Sequence, residues 1–490
     1  MIKKIFIFDT SWVFISQVIT IAAGFLISVI LGKFFGAATF GLFTMTLTIY
    51  TVASLVGEIG VPTAIVKYVA EFKEDKDKLN IFVSCGVINS AVFGAIVGSI
   101  LFVFSGVLAS IFNMSELTEL IRIIAFALPF LVVNDTLLGL LNGLREMKAY
   151  SFRNIIRAIL LIGFVILFIY FGLGIKGAVL ALLFSEIGTL FLLIFISRNY
   201  FNFIIQDYVK TTKEIVKFGS QLFLANAIYM VNIYTDTLLV GYFLTDKDVG
   251  IYAIAIAFSK SFLVIPGAIS TVVYPVISEY NNKGQYKAIE VLINKSIKYS
   301  LVILSTLGIL IIFFSEDIIL LLFKPEFLLA ITPLTILISG MIFFGAVSSV
   351  GTAFSGIGRP DLNFKLNIPV LFVNLGIDVV LIPIFGITGA AIGTAISLLL
   401  LTILSIIAFK RLLNVKIDIL WHTKITATIV LVIVTFFVFK NDVNSYLLSG
   451  ILFGIYIMTV IKFLFTKKDI EYFRGVIKEV FQKIFLKYKR

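Results

Sequence analysis

The chain has 490 residues, of which 60% are hydrophobic and 14% charged, with a mean hydropathy of +1.09 and a formal charge of +12. A water-soluble chain of this length does not need that much apolar surface, so the fold class is read as an all-α integral membrane protein. The single Cys85 excludes an internal disulfide, and the positive balance is accounted for by membrane topology, which leaves no argument for nucleic acid as a partner.

Fourteen stretches approach the roughly 20 apolar residues that cross about 30 Å of hydrocarbon as a helix. The first six are predicted at residues 11–32, 42–66, 81–104, 120–141, 155–172 and 177–197. No small-residue cleavage site follows a short apolar core before them, so no removable signal peptide is expected. In the second span, Glu58 lies between Gly57 and Gly60 and just before Pro62. Freed backbone and a carboxylate there suit a coupling cation or proton, or a brace for a kink, and Gln17 of the first span is placed to share that cavity. Asn134 and Asp135 in the fourth span and Glu186 in the sixth are read as hydrogen-bonding brackets inside a lobe.

Residues 198–217 then interleave Phe201, Phe203, Ile204, Ile205, Tyr208 and Val209 with polar groups, as expected of a linker lying along the membrane surface. Beyond it, spans follow at 218–243, 249–275, 293–315, 329–350, 366–385 and 387–408, and two more at 421–439 and 445–465. The seventh carries Tyr229, Asn232 and Asp236 at i, i+3, i+7 spacing, with Asn226 nearby, a polar stripe suited to lining water. In the eighth, Lys260 falls near mid-membrane, where an ionisable group costs about 3 kcal/mol or more. It either holds an anionic headgroup or pairs with Asp236. Asn374 and Asp378 of the eleventh span are read as further internal brackets.

The second half of this list echoes the first. Gly32-Lys-Phe-Phe-Gly-Ala-Ala-Thr-Phe-Gly-Leu-Phe43 returns as Gly241-Tyr-Phe-Leu-Thr-Asp-Lys-Asp-Val-Gly-Ile-Tyr252, and Gly174-Ile-Lys-Gly-Ala178 as Gly386-Ile-Thr-Gly-Ala390. Six spans per copy return the chain to its starting side, so the copies are parallel repeats. The predicted organisation is an N-terminal six-helix lobe over 1–197, the linker over 198–217, a C-terminal lobe over 218–410, additional helices 13 and 14 over 411–465, and a basic tail over 466–490. A central cleft separates the two lobes. Roughly 33 of the 40 Lys and Arg fall on one side, including Arg145 to Arg157, which places both termini in the cytoplasm of a multi-pass protein of the cell membrane.

Enzyme chemistry finds little material. One Cys and one His, His422, make neither a zinc cluster nor a nucleophile with its base, and no phosphate-cradling glycine loop is present.

Taken together, Leu31-Gly-Lys-Phe-Phe-Gly36 with Phe40-Gly-Leu-Phe43, Glu58-Ile-Gly-Val-Pro62 leading to Lys67-Tyr-Val-Ala-Glu71, Leu322-Phe-Lys-Pro-Glu-Phe327 and Ser355-Gly-Ile-Gly-Arg-Pro360 resemble the polysaccharide (O-antigen type) flippases of the multidrug/oligosaccharidyl-lipid/polysaccharide exporter superfamily. The resemblance covers nearly the whole chain. It implies alternating access by two lobes, with helices one, two, seven and eight lining the cleft, and a polyprenyl-phosphate- or diphosphate-linked oligosaccharide as substrate for cell-surface polysaccharide or glycoconjugate assembly. Membrane lipids and glycan assembly proteins are the partners it implies. No cofactor is implied beyond coupling to membrane potential, H+ or Na+. Helices 13 and 14 look similar to a pair that grooves a lipid tail in related flippases. Lys260 is the one deep cation read from the sequence, which points to a neutral or weakly acidic glycan. A cation-coupled multidrug exporter of the same superfamily, a membrane glycan polymerase or glycosyltransferase, and a non-transporting scaffold are the competing readings.

Overall fold

A computed structural model describes residues 2–413, 415–416 and 418–464, so the basic tail over 466–490 lies outside the described residues. Helix α1 (Ile2–Phe35) stops at Gly36, whose φ of 88° glycine adopts without strain. After α2 (Ala37–Glu58), Ile59 and Gly60 turn left-handed at φ 46° and 73°, and Pro62 then supports the first turn of α3 (Val61–Glu71), where its missing N–H costs nothing. The crossing predicted as one span over 42–66 is therefore two helices, with Glu58 at the joint. Next come α4 (Lys76–Val103), capped by Asp75 accepting the Lys78 N–H at 3.2 Å, the short α5 (Ser105–Ile111), α6 (Leu117–Gly143), α7 (Met147–Tyr170) and α8 (Gly174–Ser197).

The second lobe repeats this order. Helix α9 (Tyr208–Phe243) corresponds to α1; the pair α10 (Asp246–Ser261) and α11 (Val264–Asn282) is again one crossing broken in the middle; α12 (Tyr286–Phe313) is followed by a short α13 (Ser315–Leu322), as α4 is by α5. A 3-10 turn (Pro325–Ala330) leads into α14 (Ile331–Ser348), the single turn α15 (Ala353–Gly356), α16 (Asp361–Phe385) and α17 (Ile387–Leu413). Packing partners repeat as well: α1 on α7, α4 on α6 and α7 on α8 match α9 on α16, α12 on α14 and α16 on α17. Two six-helix lobes of like orientation are thus present.

Thirteen helical stretches are long and apolar enough to cross a membrane among the described residues. The remaining crossing is α9, whose 36 residues would extend about 54 Å. We call the face that carries the 71–76, 143–147 and 282–286 connections the basic face, and the other the opposite face.

The lobes meet through the two glycines that the repeat places in register. On the opposite face α2 crosses α10 so closely that a methyl at Gly41 would run into the Asp246 carbonyl, and one at Gly250 into that of Ala37. Each helix supplies the gap for the other's backbone, an isologous contact about the axis between the lobes. Nearer the basic face Gly60 and Gly219 meet in the same manner.

The stretch 198–207 is not a surface helix. Asn202 N–H donates to Asn80 Oδ1 at 2.9 Å and Ile204 N–H to Ser84 Oγ at 3.0 Å, while Phe203 and Ile205 stay exposed. The first turns of α9 are tied to the N-terminal lobe through the Tyr208 hydroxyl, which donates to Asn89 Oδ1 at 2.6 Å. The lobe boundary expected at 217–218 falls inside that continuous helix.

Helices α18 (Ile419–Phe439) and α19 (Ser445–Thr459) pack on the outside of the C-terminal lobe against α12. The Tyr456 hydroxyl and Ser305 share a 2.6 Å hydrogen bond, the Phe313 and Phe436 rings touch, and the Tyr446 hydroxyl donates to Asp317 at 2.8 Å.

Candidate functional site

Between the lobes lies a cavity of about 490 Å³. Helix α2 contributes Thr44, Tyr50 and Glu58, α6 contributes Asp135, and α7 contributes Arg157; from the other lobe come Tyr234 and Thr237 of α9 and Lys260 of α10. Lys260 stands exposed in this space, about 21 Å along α10 from the opposite face. Its ammonium lies 5.4 Å from the centre of the Tyr234 ring, close enough for a cation–π contact.

The N-terminal wall rests on a buried ion cluster. Glu186, fully buried on α8, accepts from Arg157 Nε at 2.6 Å, from Arg153 Nη2 at 3.4 Å and from Asn134 Nδ2 at 2.8 Å. Asn134 also reaches Thr189 at 3.1 Å. The carboxyls of Glu58, at the helix joint, and Asp135 lie within hydrogen-bond reach of each other. Glu186 is the carboxylate bonded to both guanidinium groups. Pairing of this kind is what allows five ionisable groups, Glu58, Asp135, Glu186, Arg153 and Arg157, to sit inside a membrane lobe.

Inside the C-terminal lobe a second acidic group forms. Asp236 accepts from the Tyr252 hydroxyl at 3.2 Å and from Thr394, and its carboxyl lies within hydrogen-bond reach of that of Asp378. Gly393 leaves the room Asp378 occupies. No N–H or O–H among the described residues reaches Asp236 Oδ1, either Asp378 oxygen or Asn374 Oδ1, all of them buried. Oxygens alone, without His or Cys, suit a proton or a hard cation and not a transition metal.

Measured against the sequence reading, Lys260 and Glu58 line the central cavity, while Gln17 lines an adjoining one. Asp236 faces into its own lobe and forms no ion pair with Lys260 among the described residues. The cavity-lining face of α9 is Met230, Tyr234 and Thr237, so Asn232 lies beside the wall and not in it. The side chains of Asn226 and Tyr229 lie outside the described residues. Asn134 and Glu186 bracket the N-terminal lobe as expected.

One expectation is corrected: Lys260 is not the only deep cation. Arg153 is 4% exposed and Arg157 joins the cavity wall, although both were counted with the surface charges that set topology. The signal for them was present in the i, i+4 spacing of two arginines at the start of an apolar span, together with Glu186 buried in another.

Two repeated lobes of broken and unbroken helices around a charged central cavity define a multi-pass membrane transporter. Residues 7–281 match the family described as polysaccharide biosynthesis protein, and the chain belongs to that family. Residues 221–384 also match the MatE family. A probable low-salt glycan biosynthesis flippase, Agl15 of Haloferax volcanii, is 29% identical over 253 residues, which is 50% of this chain and 53% of that protein. A putative O-antigen transporter of Shigella flexneri is 20% identical over 79% of this chain and 93% of its own. Among solved structures, the lipid II flippase MurJ in an inward closed conformation superposes with a TM-score of 0.72 at 17% identity, covering 92% of this chain and 98% of that one.

Proposed function

We infer that the protein is a flippase, a transporter and not an enzyme, which carries a polyprenyl-phosphate- or diphosphate-linked oligosaccharide across the cytoplasmic membrane by alternating access. The observation that carries this reading is the cavity between the lobes, with Lys260 on one wall and Arg157 on the other. A sugar phosphate cannot cross hydrocarbon unaided, whereas its polyprenyl tail can remain in lipid. Lys260 and the terminal N–H groups of Arg157, whose Nε stays on Glu186, reach a diphosphate from opposite lobes, and their contacts to it differ between lobe arrangements. The second cation removes the argument for a weakly charged substrate that rested on Lys260 alone.

The basic face is the cytoplasmic one, and the described chain begins and ends on that side. Moving a headgroup of about two negative charges outward is then favoured by about 4–5 kcal/mol per 100 mV of inside-negative potential. Coupling to H+ or Na+ has two candidate seats, the Glu58–Asp135 pair on the cavity wall and the Asp236–Asp378 oxygens behind it.

The test is depletion of the protein in its native cells, with lipid-linked oligosaccharide quantified by mass spectrometry before and after a glycan-cleaving enzyme is added to spheroplasts. Accumulation of a protected, inward-facing pool is expected, rescued by wild type, in part by Lys260→Arg, and not by Lys260→Ala at equal expression. An unchanged pool with new sensitivity to cationic drugs would instead support a multidrug exporter.

A further inference from the structure

A second cavity, of about 440 Å³, lies within the N-terminal lobe between α1, α2, α7 and α8. Ile21, Ala23, Ile27, Leu161 and Leu182 make its wall mainly aliphatic. Ser28, Phe43, Leu47 and Arg157 belong to both cavities, so the two spaces adjoin there. Arg157 is the one charged side chain in the second wall among the described residues. Its Nε is committed to Glu186 at 2.6 Å, and its two terminal nitrogens donate to no described residue.

The two chambers therefore run from a polar space with Lys260, past a guanidinium with donors to spare, into a mainly aliphatic pocket whose α1 wall, with Gln17, Thr20, Ile21 and Gly24, is exposed. A glycosylated polyprenyl phosphate has the same order of parts: sugar, anionic link, branched hydrocarbon. Guanidinium is the side chain best matched to a phosphate at such a junction, because its terminal N–H groups bond two oxygens at once. A phospholipid fits less well, since it brings two chains to a single pocket and no sugar to the central cavity.

Resting on the headgroup reading above, we propose that the second cavity receives the first isoprene units of the substrate, with the phosphate at Arg157 and the sugar in the central cavity. For a tail already in the bilayer the surrounding lipid is as apolar as this pocket, so its contribution there is orientation, whereas a short prenyl chain taken up from water also gains by burial. Gripping the link and the first units inside the N-terminal lobe obliges the headgroup to move with that lobe. Polyprenyl phosphates would then be selected over phospholipids at the point where both carry the same charge.

Gly24 supplies a clean probe, because a Cβ built there meets nothing within 4 Å. Gly24→Phe adds a ring to the pocket wall from α1, Gly24→Ala is the control, and Ile21→Trp narrows the same space from its 44% exposed side. Binding of farnesyl diphosphate, inorganic diphosphate and phosphatidylglycerol to the purified full-length protein in detergent would be measured by competition. Farnesyl diphosphate is expected to bind wild type and Gly24→Ala at least about tenfold more tightly than inorganic diphosphate, since burial of two methylenes suffices for that factor. Gly24→Phe and Ile21→Trp should lose this advantage and keep the affinity for inorganic diphosphate. An advantage that survives both substitutions, or none in wild type, overturns the proposal and leaves the headgroup reading intact. Phosphatidylglycerol competing as well as farnesyl diphosphate also overturns it, in favour of a phospholipid site. If inorganic diphosphate fails to bind wild type, the headgroup reading falls and this proposal with it.

Discussion

The Glu326 carboxylate of the C-terminal lobe accepts the Ala37 N–H of the N-terminal lobe at 2.8 Å, capping α2 from across the cleft. Helix α2 has no cap of its own, because Gly36 precedes it. A carboxylate at a helix N-terminus also meets the positive end of the helix dipole. Around this bond, Lys33 donates to the Leu321 carbonyl and Lys324 to that of Phe34, each at 3.3 Å, and Lys247 lies 3.9 Å from Glu326. The sequence Leu322-Phe-Lys-Pro-Glu-Phe327 is thus a latch that joins the lobes on the opposite face.

Glu326→Ala should loosen that latch. Loss of a charge-assisted cap costs about 1–2 kcal/mol, enough to raise the population opened on this face roughly tenfold. In a Cys85→Ser background carrying Ser28→Cys in the cavity wall, labelling by a membrane-impermeant maleimide added from outside should accelerate by about that factor. Equal labelling rates with and without Glu326 would show that the bond does not hold the face shut.

The glycine crossing should be less forgiving than the latch. Gly41→Ala and Gly250→Ala each put a methyl into the partner helix's carbonyl, with backbone and not a flexible side chain in the way. Separation of α2 from α10 is the one relief, at about 1–3 kcal/mol. Spin labels at exposed Phe34 and Leu321 should report a longer distance in either variant, whereas Gly24→Ala, which meets open space, should leave it unchanged.

These glycines also show what was legible in advance. The echo of Phe40-Gly-Leu-Phe43 in Val249-Gly-Ile-Tyr252 was visible as a repeat, and the structure turns the repeated glycine into the lobe contact itself. The number of crossings and the lobe order followed from hydropathy, which is local; Gly60 and Pro62 suggested a kink, but not that the span over 42–66 is two helices. Rotation of a helix about its axis is not local. A step of one residue turns the face by about 100°, so the stripe Tyr229, Asn232, Asp236 pointed to the right helix while the cavity took Met230, Tyr234 and Thr237. Arg157 escaped for a related reason: a charge one or two turns inside a span reads as a flanking topology signal until its buried partner Glu186 is placed beside it.

Glu186 should prove a stability determinant. Glu186→Gln retains a side chain that Asn134 can bond yet leaves Arg153 and Arg157 without their counter-charge, a loss of about 3–5 kcal/mol for a broken buried pair. Thermal unfolding in detergent should move down by several degrees. Adding Arg157→Gln to that variant should recover part of the loss, because the uncompensated charge is then removed; a double variant no more stable than Glu186→Gln would mean that the cluster contributes packing alone.

The Asp236–Asp378 group makes the sharpest demand on the coupling ion. Its undonated oxygens, with Asn374 and Thr394 adjoining, fit Na+ if the carboxyls are ionised and a shared proton if one is not. A cation that binds the folded protein at 100 times its dissociation constant stabilises it by about 2.7 kcal/mol. Unfolding of wild type should therefore shift upward in NaCl relative to choline chloride, and Asp378→Asn should abolish the shift. Protons compete for the same oxygens, so the Na+ effect should grow as pH rises and fade as it falls. A shift that is the same in NaCl and choline chloride, with transport still responding to a pH gradient, would assign the seat to the proton; a Na+ shift retained in Asp378→Asn would place the cation elsewhere, with Glu58 and Asp135 the next pair to substitute.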